Sequence, residues 1–118
     1  MKPEEIDRKI AERVMGWLPH FRNTAFYVKK EEATKVLGKR TQDVSDWKPS
    51  TRIDHAFEVV EKMLESGHTF QLEYYYSIGK SLFAIVDFEN NYTHLNAAKS
   101  AGTPAMAICL AALEAVKD

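Results

Sequence analysis

The sequence predicts an α+β protein, a three-layer α-β-α sandwich around a small, mainly antiparallel sheet. Three observations carry this. Residues 103–116, TPAMAICLAALEAV, read as a helix that is apolar nearly all round, and such a helix belongs inside a protein. Residues 3–17 and 47–66 show apolar positions at one-sided helical spacing,. Residues 81–88 are apolar on both faces of a strand, which asks for helices above and below.

The first helix is expected over residues 3–17. Pro3 suits a first helical position, and Glu4, Glu5 and Asp7 sit where the positive end of the helix dipole favours acids,. Ile6, Ile10, Val14 and Trp17 form a narrow stripe flanked by Arg8, Lys9, Glu12 and Arg13. Gly16 and Pro19 end it. Within residues 18–46, AFYV at 25–28 reads as a strand,. Residues 30–37 fit a short charged helix closed by Gly38, or equally one arm of a hairpin.

The segment 47–66 opens on a stiff entry, because Pro49 drives Lys48 towards an extended conformation. Ser50 or Thr51 is expected to cap its helix, with Asp54 in an acidic variant of the capping box. Ile53, Ala56, Phe57, Val60, Met63 and Leu64 keep helical spacing, and Gly67 closes the helix as a left-handed cap,. A hairpin follows, with strands 69–77 and 81–88 around Ile78, Gly79 and Lys80,. Phe70, Leu72, Tyr74 and Tyr76 share one face of its first strand; Thr69, Gln71, Glu73 and Tyr75 share the other. In the second strand Leu82, Ala84 and Val86 oppose Phe83 and Ile85. Residues 89–102 read as a polar connection. Thr103 then caps the last helix and Pro104 takes its first position. Met106, Cys109, Leu110, Leu113 and Val116 make its longer stripe; Ala105, Ile108, Ala111, Ala112 and Ala115 lie opposite.

At 118 residues the chain is expected to form one domain, residues 1–118,. A net charge of −1 gives no electrostatic case for bulk nucleic-acid binding,. No apolar run approaches the ~20 residues of a membrane span, and the start of the chain does not read as a signal peptide. The expected location is therefore the cytoplasm of the cell that makes it, with no membrane partner. Cys109, mid-stripe on an apolar helix, reads as a small core hydrophobe rather than a nucleophile.

Catalytic and metal signatures are weak. His20, His55, His68 and His94 are scattered and lack the short spacing of a zinc site,. Asp87, Glu89, Asn90, Asn91 and His94 lack the alternating ligands of a calcium loop and read as a solvated strand end,. Gly38, Lys39 and Arg40 read as a turn, without the glycine spacing of a phosphate loop. No nucleophile elbow or Cys–His pair is present. No enzyme activity, no cofactor and no metal are expected. The sharpest candidate site is the entry to the second helix. A helix amino terminus favours anions, Arg52 adds a charged fork, and Trp47 offers a stacking face beside His55. Tyr75 closes such a site if the hairpin packs nearby. The competing reading has Trp47 packing back on its helix and Arg52 as a solvated charge.

Three stretches resemble one family. WKPSTRI at 47–53, AFEVVEKM at 56–63 and TPAMAICLAAL at 103–113 are similar to the phage ABA-sandwich domain family, small proteins of phages and prophages of Bacillus-type hosts. That family usually has Asn after the Trp and an uncharged polar or acidic residue before the Ile; here Lys48 and Arg52 stand there. The resemblance implies an α-β-α sandwich and no reaction. It makes the expected function that of a non-catalytic phage accessory protein, binding an anionic, nucleotide-like host molecule and sequestering it as an anti-defence sponge. The alternative is a protein–protein module that inhibits or recruits a host or phage protein. A homo-oligomer is expected through the helix over 103–116, whose second apolar side exceeds what a small sheet needs.

Overall fold

Pro3 begins a helix, α1 (Pro3–Lys9), and the backbone widens into a π-helical segment over Ile10–Val14. The apolar residues recur every four positions, which drifts around an α-helix. A wider π turn, closed by the Met15 N–H donating to the Ile10 carbonyl at 3.0 Å, keeps them nearer one line. Ile6, Ile10 and Val14 are all buried, and the extra turn brings Ala11 inward as well. The helix ends before Gly16, whose φ is +72°, a left-handed conformation open to glycine. Trp17 is buried as expected, but it begins a strand instead of closing the helix.

The computed structural model describes residues 2–20, 23–29, 42–43, 47–76 and 82–117. The candidate helix or hairpin arm at 30–37, the turn at Gly38, Lys39 and Arg40, and the hairpin tip at Ile78, Gly79 and Lys80 lie outside the described residues. β1 (Trp17–His20), β2 (Asn23–Lys29) and β3 (Gln42–Asp43) form an antiparallel sheet in that order. The strand expected at 25–28 falls within β2.

α2 spans Ile53–Glu65. Its cap differs from expectation: Arg52 holds the N-cap position without a side-chain cap bond, while Ser50 bonds to α1. Ala56, Val59, Val60 and Met63 are buried along one side. Gly67, with φ +90°, closes the helix as predicted. β4 (His68–Tyr76), β5 (Leu82–Asn90) and β6 (Asn96–Ala101) form the second sheet, antiparallel throughout, with β5 in the centre. β6 corrects the reading of 89–102 as a plain connection. Its sequence, NAAKSA, carries no β-branched or aromatic residue, so propensity gave no strand signal. The turn before it is built by Asn90, whose Oδ1 accepts from the N–H groups of Tyr92 at 2.8 Å and Thr93 at 3.0 Å,.

α3 (Pro104–Ala115) starts as read, with Thr103 Oγ1 accepting from the Met106 N–H at 3.3 Å. It packs on β5 and β6; α2 packs beside it and on β4, and α1 with its π segment covers it from outside. The sides of α3 are used unequally. Ala105, Ala107, Ile108, Cys109, Ala111 and Ala112 are buried, whereas Met106, Leu110 and Leu113 are half-buried. The smaller residues face inward because sheet, α1 and α2 all approach this one helix closely. The core joins them to Ala84, Val86 and Phe88 of β5. The fold is α+β, with an antiparallel sheet whose described helices all lie on the Val86 side.

Candidate functional site

The entry to α2 is tied to α1 before it reaches the helix. Pro49 and Ser50 are buried. The Ser50 N–H donates to Asp7 Oδ1 at 2.8 Å, and its hydroxyl donates to the Pro3 carbonyl at 3.4 Å. Burial pushes the Asp7 carboxyl above its ordinary range, and the Ser50 bonds oppose that shift only in part,. The N–H groups of Thr51 and Arg52 both donate to the Lys48 carbonyl, at 3.1 and 2.8 Å. A rigid turn therefore delivers Trp47 to the flank of α2.

Three of the expected site residues meet here. Trp47 packs on Trp17 with ring centroids 4.6 Å apart, and lies near-parallel to His55 at 6.4 Å. Its indole N–H donates to the Glu58 carboxylate. His55 Nδ1 accepts from the Lys48 N–H at 2.9 Å, so the neutral ring carries its proton on Nε2. Arg52 grips Asp54 with two bonds, Nε to Oδ1 at 3.2 Å and Nη2 to Oδ2 at 2.9 Å. The guanidinium holds the exposed Asp54 carboxyl below its usual range. Trp47 is thus fixed on two sides, and a carboxylate already stands in the first turn of α2.

The structure does not bring Tyr75 to this cluster. Phe70 faces the helices, touching Phe57 of α2 edge-on at 6.1 Å, so odd-numbered residues of β4 face the other way. Tyr75 stacks there on Phe83 at 5.2 Å.

That opposite face of the β4–β5–β6 sheet is the feature that side-chain chemistry in the sequence did not single out as a site. Strand pairing sets Tyr75 beside Phe83, Glu73 beside Ile85 and Ser100, Gln71 beside Asp87 and Ala98, and Thr69 beside Glu89 and Asn96. Phe83, Ile85 and Asp87 are half-buried, although no described helix lies over them. Asp87 Oδ1 is buried without a hydrogen-bond partner among the described residues. The signal was present in the sequence as the second apolar face of β5.

Other candidates take quieter places. Cys109 is fully buried, and desolvation raises its thiol far above the ordinary range. Among the described residues no group of three His, Cys, Asp or Glu side chains is placed to hold a metal. No described helix is long and apolar enough to cross a membrane.

An antiparallel sheet backed by helices on one face, with an α2 entry locked by internal bonds, defines a small α+β domain. The chain belongs to the phage ABA sandwich domain family, whose model matches residues 8–113. No curated protein and no solved structure matches it.

Proposed function

We propose that this phage-family domain is a non-catalytic interaction module that inhibits or recruits a host or phage protein, docking it on the open face of the β4–β5–β6 sheet. One observation carries the reading. The central strand presents Phe83 and Ile85 on a face that no described helix covers, with a buried Asp87 oxygen that has no donor among the described residues. Glu73, Asp87 and Glu89 make this face acidic. It suits an amphipathic helix with basic flanks, laid across the strands by its apolar stripe.

The test is capture from a lysate of the host cell by immobilised protein, followed by binding of the purified partner. Tyr75→Arg is expected to abolish capture, because it sets a cation against a basic partner, while Arg52→Ala retains it. Equal binding by Tyr75→Arg and wild type would move the surface elsewhere.

Sequestration of an anionic, nucleotide-like host molecule is the second reading. It is favoured by the meeting of Trp47, Arg52 and His55 at the amino end of α2, where the first N–H groups have no intrahelical acceptor. A ligand there has to draw Arg52 away from Asp54. Losing a charged hydrogen bond then weakens affinity by about one to two decades in Arg52→Ala. A thermal-shift panel of nucleotides checks this, and a panel without any shift would remove the reading.

A further inference from the structure

We infer that the outer edge of β4 is a self-pairing interface, joining two copies of this chain antiparallel about a twofold axis through Leu72 into one continuous six-stranded sheet. β4 is nine residues long and lies at the edge of its sheet. No strand among the described residues pairs with its outer side. Natural edges left in water carry proline, lysine, bulges or inward charges. HTFQLEYYY has none of these; its single carboxylate, Glu73, points to the face away from the helices. The edge is built to be covered.

The flank beside it is apolar as well. Ile53, Phe57 and Leu64 of α2 are 45%, 42% and 50% exposed, and Tyr74 and Tyr76 are 51% and 74% exposed. Positions 53, 57 and 64 fall on one stripe of the helix, turned from its buried side towards β4, as the Phe57–Phe70 contact shows. The groove between that stripe and the strand edge is therefore open where a second β4 would enter.

Register identifies the occupant as a second copy. In an antiparallel pair, residues directly opposite share a face, so a self-pairing axis must pass through a residue. An axis at Leu72 is the one that pairs all nine residues of β4. On the helix side it sets Leu72 on Leu72, Phe70 on Tyr74 and His68 on Tyr76. On the other side it sets Gln71 against Glu73 and Thr69 against Tyr75. Every pair is apolar, aromatic or able to hydrogen-bond, and none repeats a charge. An axis at Glu73 instead faces two carboxylates. The Gln71–Glu73 bond within one chain, 3.0 Å from Nε2 to Oε1, shows that these groups already associate and need only exchange partners. The twofold axis also brings the two Ile53–Phe57–Leu64 stripes towards each other, an isologous contact. This interface is separate from the sheet face assigned to a protein partner, and it leaves that face open in both copies.

The experiment is sedimentation equilibrium of the full chain, with a cross-linking variant and a charge variant. Wild type is expected to be a dimer at high micromolar concentration. Leu72→Cys is expected to form a disulfide-linked dimer under mild oxidation, since the residue faces its own copy and the native Cys109 is buried. Gln71→Cys, facing Glu73, is expected to stay uncrosslinked. The double variant Ile53→Asp/Leu64→Asp changes exposed positions only, so it is expected to keep its circular dichroism and urea midpoint. Its association is expected to weaken by at least about a hundredfold, because like charges then meet across the axis. A wild-type monomer throughout the concentration range would overturn the proposal. A dimer that persists in the charge variant and leaves Leu72→Cys unlinked would overturn it too, and would place association on another surface such as Met106, Leu110 and Leu113 of α3.

Discussion

The two faces of the β4–β5–β6 sheet come from the same three strands and meet opposite fates. On the helix side Ala84, Val86 and Phe88 of β5 have no exposed area. On the other side Phe83, Ile85 and Asp87 are half-buried, with no described helix over them. Phe83 and Ile85 are as apolar as the residues of the helix side, yet only that side has helices over it among the described residues. The difference separates what the domain uses to fold from what it leaves for contact.

The sharpest way to break that comparison is to truncate one aromatic from each face. Phe88→Ala removes a fully buried ring and is expected to cost about 3–5 kcal/mol. Phe83→Ala is expected to cost nearer 1 kcal/mol, the scale of a partly exposed site. Urea denaturation of both variants reads the gap. Equal losses would mean that both faces are core.

A second contrast lies within α3. Ile108 is fully buried and Leu110 half-buried. Ile108→Ala is expected to lose about 2–5 kcal/mol, and Leu110→Ala clearly less than that. Leu110 lies centrally on the longer apolar stripe of this helix, the position that periodicity favours for the core,. Matching losses would return it there.

The smallest expected effect concerns the tie between α1 and the α2 entry. The folded-state pKa of Asp7 is raised by burial, so the folded chain binds its proton more tightly than the unfolded chain does. Stability therefore falls as pH rises from the ordinary carboxylate pKa through the higher folded value. Asp7→Asn keeps an acceptor for the Ser50 N–H and removes the buried charge. It is expected to flatten that part of the stability–pH curve and to be at least as stable as wild type at neutral pH. A variant with the same slope as wild type would show that the carboxyl is not desolvated.

Much of the fold was legible because periodicity reports burial. The stripes of α1 and α2, the Thr103–Pro104 start of α3, the Gly67 cap and the hairpin strands were all read from spacing and caps. β6 was missed because its small and polar residues carry no strand propensity, although Ala97 is buried and α3 packs on the strand,. The cap of α2 was misread because the Ser50 N–H has a distant partner, Asp7, that local sequence does not reveal. The α3 stripe was read inside out: hydrophobicity marks large residues as core, but close approach of three neighbours selects alanines. For the candidate site, Trp47, Arg52 and His55 were placed together by helix spacing. Tyr75 was not, since which face of β4 meets α2 depends on tertiary packing. The open sheet face was visible only as a strand that is apolar on both sides; the sequence does not say what covers each.

Hydroxyl-radical footprinting of the purified protein tests that asymmetry most directly, because it reads solvent access side chain by side chain without a mutation. Tyr75 and Phe83 are expected to be oxidised in the native state, while Val86 and Phe88 stay protected until the chain unfolds. Protection of Tyr75 and Phe83 equal to that of Phe88 in the isolated protein would contradict the account, since the face assigned to a partner would then be covered by the chain itself.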